Sequence, residues 1–299
     1  MQRRQFIALL AGATVWPLKA RAQAQLPAGQ GDESIGQVAT VQGSATVTRG
    51  NAAAAALKVS DPIYKGDALA TGANSALGVT FDDETTFSLS ADARITVDDY
   101  VYQEGAAGNV GAFGVARGTV AFVASQVAKT GNMTIATPNA TLGIRGTTGV
   151  VDVPENAAAG GEAKIKLYAD ADGRVGRIEV FDRQGARLGA LTQSASAFQI
   201  RRGAGGRFAA VPFRIPPQEA ARDRGVVQRL FAAHNIGRRM AIQRRQQRRL
   251  QRPNAPRRQN GPLQRQNRNQ NGQPQRRGLR ERLRNLNPFR RRGNEPDQR

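Results

Sequence analysis

The sequence predicts an all-β fold: an antiparallel short-strand module, in the form of a sandwich, a roll or a solenoid-like stack, then one amphipathic helix and a disordered basic tail. Three observations support this prediction. Apolar residues recur at every second position over residues 35–200, turn residues interrupt these runs at short intervals, and arginine accumulates after residue 200. Period two places side chains on one face of a strand, whereas a helix requires a period of 3.6.

The charge of the chain is concentrated in its last third. The 299 residues have a net charge of +21, yet residues 1–200 hold 17 basic and 18 acidic side chains, whereas residues 201–299 hold 27 arginines and 5 acids. The predicted folded part is therefore almost neutral, and the basic charge belongs to an appendage. Cysteine is absent, which excludes disulfides, thiolate metal sites and a cysteine nucleophile.

The first element, residues 1–24, has the pattern of a signal peptide. A short basic segment is followed by an apolar run that is too short to span a bilayer. The export motif is twin-arginine-like, with Arg3, Arg4 and Phe6, and the cleavage site has small residues at Ala22 and Ala24. An ordinary signal peptide with two chance arginines is the alternative. Either route predicts a mature chain in the periplasm or at the cell surface.

The next element is the predicted β region, a module over residues 33–151 with additional hairpins over residues 152–210. Alternation is clear where Leu77, Val79 and Phe81 are separated by single residues, and valine and threonine, which favour pleated strands, are frequent. Turn residues, among them Gly118, divide the region into strands of four to seven residues. No helix-length periodic segment intervenes before residue 217.

An ordered set of short motifs in this region resembles the FecR-domain family. The first block is Lys-Gly-Asp-x-Leu-x-Thr-Gly at residues 65–72, and the last is Thr-Pro-x-Ala-x-x-Gly-Ile-Arg-Gly-Thr at residues 137–147. The motif positions are Gly66, Asp67, Thr71, Gly72, Thr137, Pro138, Gly143, Arg145, Gly146 and Thr147. The combination of these blocks, in this order, carries the resemblance.

The resemblance implies a non-enzymatic role. FecR-family proteins relay signals, such as iron-siderophore status, from outer-membrane receptors to a cytoplasmic sigma factor. That circuit needs a cytoplasmic N-terminal region and a transmembrane helix, and the sequence predicts neither. We therefore expect an exported periplasmic binding or signalling scaffold whose partner is an envelope protein.

The marked positions first suggest structural roles. Gly66, Gly72 and Gly146 suit turns that need positive φ, and Pro138 suits a strand end. Arg145 permits two interpretations. The favoured one is that its guanidinium satisfies carbonyls of neighbouring turns, and the alternative is contact with an acidic group of a partner.

The sequence does not indicate catalysis or the binding of a cofactor. The acidic clusters Asp82-Asp83-Glu84 and Asp98-Asp99 could supply two carboxylates, but both fall where hairpin turns are expected. Asp170-x-Asp172-Gly173 resembles the start of a calcium loop without its later ligands, so a β-turn is favoured. His234 is the only histidine. The sequence therefore predicts no catalytic, cofactor or metal site.

A helical segment is predicted over residues 217–250, strongest to about residue 235. Val227, Leu230, Phe231 and His234 fall on one face at spacings of three and four. We expect this stripe to dock against the β domain, with membrane binding as the alternative. Gly225 and Gly237 should weaken the helix.

The last element, residues 251–299, is rich in Arg, Gln, Asn and Pro and is predicted to be disordered, because it has too few apolar residues to offset chain entropy. Two interpretations of the tail are open: a solvated, low-complexity segment, or a contact for anionic lipid, lipopolysaccharide or acidic glycan. Export argues against nucleic acid as its ligand. The predicted polyanion contacts are Arg276, Arg277, Arg280, Arg284, Arg290, Arg291 and Arg292.

Overall fold

The computed structural model describes residues 33–251, which form many short strands and one long C-terminal helix. The first nine strands are β1 (Gly36–Gln42), β2 (Ala45–Arg49), β3 (Ala55–Ala56), β4 (Pro62–Ile63), β5 (Asp67–Thr71), β6 (Ala76–Phe81), β7 (Thr86–Leu89), β8 (Arg94–Val101) and β9 (Val110–Val123). The others are β10 (Met133–Ala136), β11 (Thr141–Arg145), β12 (Thr148–Val153), β13 (Ala163–Tyr168), β14 (Arg177–Phe181), β15 (Arg187–Leu191), β16 (Ser196–Arg202) and β17 (Phe208–Pro212). The helices are α1 (Gln126–Thr130) and α2 (Pro217–Gln251).

The strands form one hydrogen-bonded network of 17 strands that is arranged as two layers. The first layer has the order β4-β1-β6-β7-β9-β12-β13-β16-β17. The second has the order β3-β2-β5-β8-β9-β10-β11-β14-β15. Strand β9 belongs to both layers. The predicted all-β class is therefore confirmed, in the form of a two-layered module.

Gly118 is the point at which β9 changes layer. Up to Arg117 the strand pairs with β8, and from Gly118 onward it pairs with β12. Gly118 has φ of +87°, and a Cβ at this position would lie 2.5 Å from the Cα of Ala93. The prediction of a turn here was wrong, because the glycine bends a continuous strand instead of ending it.

One strand pair departs from the antiparallel expectation. Within residues 33–251, β9 and β10 form the one parallel pair, with Met133 opposite Gly111 and Ala136 opposite Gly114. The end of β9 lies in the first layer, and α1 returns the chain to the second layer. Strand β10 can therefore run beside the first half of β9 in the same direction.

The main core lies between the two layers. The alternating residues Leu77, Val79 and Phe81 are all fully buried, as period two predicts. An aromatic cluster joins the layers, with ring centroids of Phe87 and Phe113 4.6 Å apart and those of Phe81 and Tyr100 5.3 Å apart. Tilted and edge-on ring contacts of this kind add to the stabilisation from burial itself.

Helix α2 packs across the outer face of the first layer. Val226 and Leu230 contact a small second core with Ala121 of β9 and Val150 of β12. Further along, a Cβ at Gly237 would lie 1.8 Å from the Thr80 hydroxyl oxygen, so the helix backbone approaches the sheet closely there. The predicted docking on the β domain is thus observed.

The buried stripe of α2 differs from the predicted one. Leu230 is buried as expected, but Val226 takes the place expected for Val227, and Phe231 and His234 lie half-buried at the side of the contact. The stripe continues through small residues, Ala233, Gly237 and Ala241. Hydrophobicity alone placed the stripe to one side of the observed contact, because small side chains allow the closest approach of a helix to a sheet.

Candidate functional site: a groove beside the docked helix

The acidic turn between β6 and β7 is organised by Asp83, whose side chain is fully buried. One carboxylate oxygen accepts hydrogen bonds from the Thr85 amide and the Tyr100 hydroxyl, both at 3.0 Å. The other accepts from the Thr85 hydroxyl at 2.6 Å and from the Val127 amide of α1 at 3.0 Å. Asp83 therefore fixes the turn, β8 and α1 relative to one another, and its lone pairs are occupied.

The two neighbours of Asp83 hold the C-terminal half of α2. Asp82 pairs with Arg244 and, at 3.2 Å, with Arg248. Burial raises the pKa of Asp82, and the two guanidinium groups oppose that shift. Glu84 pairs with Arg245 at 2.6 Å and with Arg238 at 3.3 Å. This arrangement explains why the turn is acidic without assigning it a catalytic role.

The N-terminal end of α2 is held by a buried lysine. The Lys166 side chain is 0% exposed, and its ammonium lies 2.6 Å from both Asp152 and Glu219 and 2.9 Å from Asp223. Burial by itself would lower the pKa of Lys166, but the three carboxylates raise it above its usual value. The Tyr168 hydroxyl donates a 2.6 Å hydrogen bond to Asp223.

The other acidic cluster also has local partners. Asp98 accepts a hydrogen bond of 2.6 Å from the Thr96 hydroxyl, and Asp99 pairs with Lys65 at 2.7 Å. The segment from Asp170 to Arg174 forms the turn between β13 and β14, with the Gly173 amide donating to the Asp170 carbonyl at 2.9 Å. Among residues 33–251, no three His, Asp or Glu side chains are grouped as metal ligands would be.

Two clefts lie along one side of α2. The His234 cleft, of about 700 Å³, is bounded by α1, by the turn at Arg145 and Gly146, by the β13–β14 turn and by α2 from Phe231 to Arg238. The Ile242 cleft, of about 670 Å³, is bounded by α1, by the loop between β8 and β9, and by α2 from Ile242 to Gln246. Because both are lined by Glu84 and Lys129, we treat them as one feature, the α2 groove.

His234 lines the groove from the helix side. Its Nδ1 lies 3.1 Å from the Thr86 hydroxyl oxygen. Burial lowers the pKa of the imidazole, and nearby Glu84 and Asp170 act in the opposite direction. The ring is therefore neutral near pH 7, in agreement with the packing role that the sequence suggested.

The first group of motif residues stabilises turns. Asp67 is buried and accepts hydrogen bonds from Arg49 Nε at 3.0 Å and from the Tyr64 amide at 2.9 Å. The Thr71 hydroxyl donates to the Ser90 carbonyl at 2.6 Å. Gly66 has φ of +82°, as predicted. For Gly72 the prediction of a positive φ was wrong; glycine is suited there by lack of space, because a Cβ would lie 2.4 Å from the Ser44 hydroxyl oxygen. These residues lie away from the α2 groove.

The second group lies on both sides of β11. The Thr137 hydroxyl donates to the Ala140 carbonyl at 2.8 Å and closes the turn that contains Pro138. Gly143 lies within β11, and Gly146 has φ of +49° in the turn to β12. The Thr147 hydroxyl accepts a hydrogen bond of 3.2 Å from the Gly176 amide. Of the ten motif residues, Arg145 and Gly146 line the groove.

We expected the Arg145 guanidinium to satisfy carbonyls of neighbouring turns, and the structure has a different arrangement. Its side chain is 56% exposed, and its Nε lies 3.8 Å from a carboxylate oxygen of Glu179 on the neighbouring strand. The guanidinium packs against the end of α1, where a Cβ at Gly131 would lie 2.5 Å from Nη1. Arg145 is at the end of a strand, so its side chain projects from the turn and not back into it.

The residues that hold the helix were not identified from the sequence. Lys166 is far from Asp223 in the chain, and Asp82 is far from Arg244 and Arg248. The packing of α2 on the first layer brings the members of each ion pair together. A usable pattern existed nonetheless: Asp223 and Lys166 are charged residues inside otherwise buried periodic runs. Charges at such positions are paired in folded proteins.

Several predictions concern residues outside the described range. The twin-arginine motif, the cleavage site and the seven arginines of the proposed polyanion contact all lie outside residues 33–251. Within that range, neither helix combines the length and hydropathy that crossing a bilayer would require.

The fold and the site together define a class of protein: an all-β module with a helix docked on its outer face. The family follows from the sequence comparison, in which residues 67–169 match the model described as FecR protein. This part of the chain is therefore a FecR domain, which confirms the resemblance of the motifs. No curated protein matches the chain.

Two crystal structures of a "putative anti-sigma factor" from Parabacteroides distasonis are similar to the chain. The first is 13% identical with a TM-score of 0.35, and the match covers 48% of this chain and 59% of that one. The second is 12% identical with a TM-score of 0.35, and it covers 54% and 74% respectively. The chain thus spans less than two thirds of the first of these structures.

Proposed function

We propose that this chain is a non-enzymatic, exported FecR-domain protein that binds another protein of the cell envelope and serves as a signalling scaffold. The observation that carries the proposal is the FecR domain at residues 67–169, since the family is a regulatory one. The name printed for the two similar structures, an anti-sigma factor, is a name from the same area of signalling.

The use of the acidic residues supports a binding role over a catalytic one. Glycoside hydrolysis needs two carboxylates that face a substrate across a cleft. In the acidic turn, Asp83 is saturated by four hydrogen-bond donors, and Asp82 and Glu84 each pair with two arginines of α2. Asp82 and Glu84 therefore stabilise the docked helix, and Asp83 fixes the turn that carries them.

Export can be tested with a reporter. Residues 1–30 fused to mature β-lactamase, which protects the host from ampicillin only after export, should give periplasmic activity in a bacterial host. If the twin-arginine route is used, the double substitution Arg3→Lys and Arg4→Lys should abolish that activity, because this route reads the arginine pair. A fusion that stays inactive with the wild-type segment would refute the exported part of the proposal.

The signalling role can be tested by transcription. Deletion of the gene should change the expression of a defined set of genes, and the wild-type chain should restore it. The export-deficient double variant should not restore it, because the scaffold would then be in the wrong compartment. An unchanged transcriptome after deletion, under conditions in which the gene is expressed, would reject signalling.

A further inference from the structure

The α2 groove contains two cations that lack a close carboxylate partner. Arg145 is 3.8 Å from Glu179 and mostly exposed, and Lys129 donates a 3.3 Å hydrogen bond to the neutral Gln126 side chain. The other cations of the groove are engaged: Arg238 and Arg245 with Glu84, and Arg174 with Asp172. The groove is also lined by the acids Glu84, Glu104, Asp170 and Asp172. Lys129 and Arg145 are the cations of the groove with the weakest carboxylate contacts, and we take them as the groups that meet an incoming anion.

These two side chains are held at the same end of α1. Arg145 packs on Gly131, the residue that caps α1 with φ of +84°, and Lys129 lies two residues earlier in the same helix. Both side chains line the His234 cleft, and charge-assisted hydrogen bonds from such groups to a carboxylate are among the stronger polar contacts.

The rest of the groove suits an extended peptide with apolar side chains. Phe231 of α2 is half-buried and Val175 is exposed, and both line the His234 cleft. The groove follows α2 from Phe231 to Gln246, which is roughly 22 Å at the rise of an α-helix. An extended chain covers that length with about seven residues.

We propose that the α2 groove binds an extended acidic peptide segment of a partner protein, with one carboxylate held between Lys129 and Arg145. The proposal rests on the proposed protein-binding function and names its site and the chemistry of the partner. The chain's own C-terminal segment does not suit this place, because residues 252–299 contain 14 arginines and 3 acids. Its positive charge has the same sign as the two cations, so we assign the carboxylate to a partner protein.

The test is fluorescence polarisation with the full mature chain and a fluorescein-labelled heptapeptide of alternating glutamate and phenylalanine. Arg145→Ala should weaken binding by at least about tenfold, the loss expected for a charged hydrogen bond. Arg187→Ala is the matched control, because Arg187 is 54% exposed and lies 3.9 Å from the same Glu179, yet it does not line the groove. Its affinity should stay within about twofold of wild type.

One further variant and one further peptide strengthen the design. Lys129→Ala should weaken the peptide to a similar extent, and a peptide with glutamine in place of glutamate should not distinguish Arg145→Ala from wild type. The basic tail is the same in every variant, so a difference between variants comes from the substituted residue. Circular dichroism and a melting curve for each variant confirm that the fold is retained.

Equal affinities of the Arg145→Ala and Arg187→Ala variants would overturn the proposal. It would also be overturned if anionic vesicles or a single-stranded oligonucleotide, and not the peptide, distinguished the two variants. Failure here leaves the transcription test of the signalling role unaffected, since a scaffold can bind its partner through another surface. If the transcriptome is unchanged after deletion but the peptide still binds and distinguishes the variants, the signalling role is rejected and the groove proposal stands.

Discussion

Lys166 shows how one residue connects the sheet to the helix. It is on β13, faces outward, and is fully buried only because α2 covers it with Glu219 and Asp223. An ammonium in such a place is tolerated because three carboxylates surround it. Removing the lysine would leave Asp223, which is 2% exposed, as a buried charge without its main partner.

The first prediction therefore concerns Lys166→Met. We expect it to lower the free energy of unfolding by about 3 kcal/mol, because it breaks a buried ion pair and leaves the acids uncompensated. The control is Lys164→Met, which affects a partly exposed lysine paired with the same Glu219 and should cost less than about 1 kcal/mol. Urea denaturation measures both, and equal losses would contradict the argument.

A second residue-scale prediction concerns pH and His234. Burial lowers the folded-state pKa of this histidine below the unfolded value, so the unfolded chain takes up the proton first as the pH falls. Stability linked to His234 is therefore complete above the unfolded pKa of about 6.5 and decreases as the pH falls below it. Of the charged groups facing the ring, Glu84 and Asp170 oppose this lowering of the pKa, and Arg238 adds to it.

His234→Gln should accordingly reduce the loss of stability between pH 7.5 and 5.5. We expect a difference of less than about 1 kcal/mol from wild type, because the ring is partly exposed and solvent screens its charge. Urea midpoints at the two pH values give the measurement. A variant that loses as much stability as wild type would show that other groups control this pH range.

At the scale of the element, α2 is a helix whose docking depends on ionic contacts at both ends. The sheet supplies the cation at the helix start, Lys166, and the acids at the far end, Asp82 and Glu84. This reversal of charge fixes the direction in which the helix lies across the layer, because the opposite direction would bring like charges together. Small residues between the two ends allow the close approach.

The two glycines of α2 should respond in opposite ways to alanine. At Gly225 the nearest atom to an added Cβ is Arg229 Nη1 at 3.8 Å, so Gly225→Ala should raise stability by about 0.5–1 kcal/mol through helix propensity. At Gly237 the added Cβ would collide with Thr80, so Gly237→Ala should lower stability by about 1–3 kcal/mol. Thermal melts of the two variants compare them directly, and a gain at both sites would show that the helix is not tightly packed at Gly237.

At the scale of the whole molecule, the distribution of charge separates a nearly neutral part from a basic one. Residues 1–200 carry a net charge of −1, and residues 201–299 carry +22. Part of that positive charge is neutralised within the described structure, since Arg238, Arg244, Arg245 and Arg248 pair with acids of the β module.

The predicted polyanion contact can be tested without removing the tail. Replacement of Arg276, Arg277, Arg280, Arg284, Arg290, Arg291 and Arg292 by glutamine should weaken salt-sensitive binding to phosphatidylglycerol vesicles by at least about tenfold, because each basic residue near an anionic surface contributes about 1 kcal/mol. The matched control replaces the same residues by lysine and keeps the charge. Vesicle sedimentation at low and high salt provides the measurement, and unchanged binding of the glutamine variant would show the contact prediction to be wrong.

The sequence by itself determined the all-β class, the C-terminal helix and the FecR resemblance, because alternation and local motifs depend on neighbours in the chain. It indicated the burial of Leu77, Val79 and Phe81, since period two is enough to define one face. Only the tertiary structure decided that β9 belongs to both layers, that Gly118 bends a strand, and that Val226 rather than Val227 faces the sheet. It also decided that Lys166 meets Asp223 and that Arg145 lines a groove, because these arrangements depend on contacts between residues far apart in the chain.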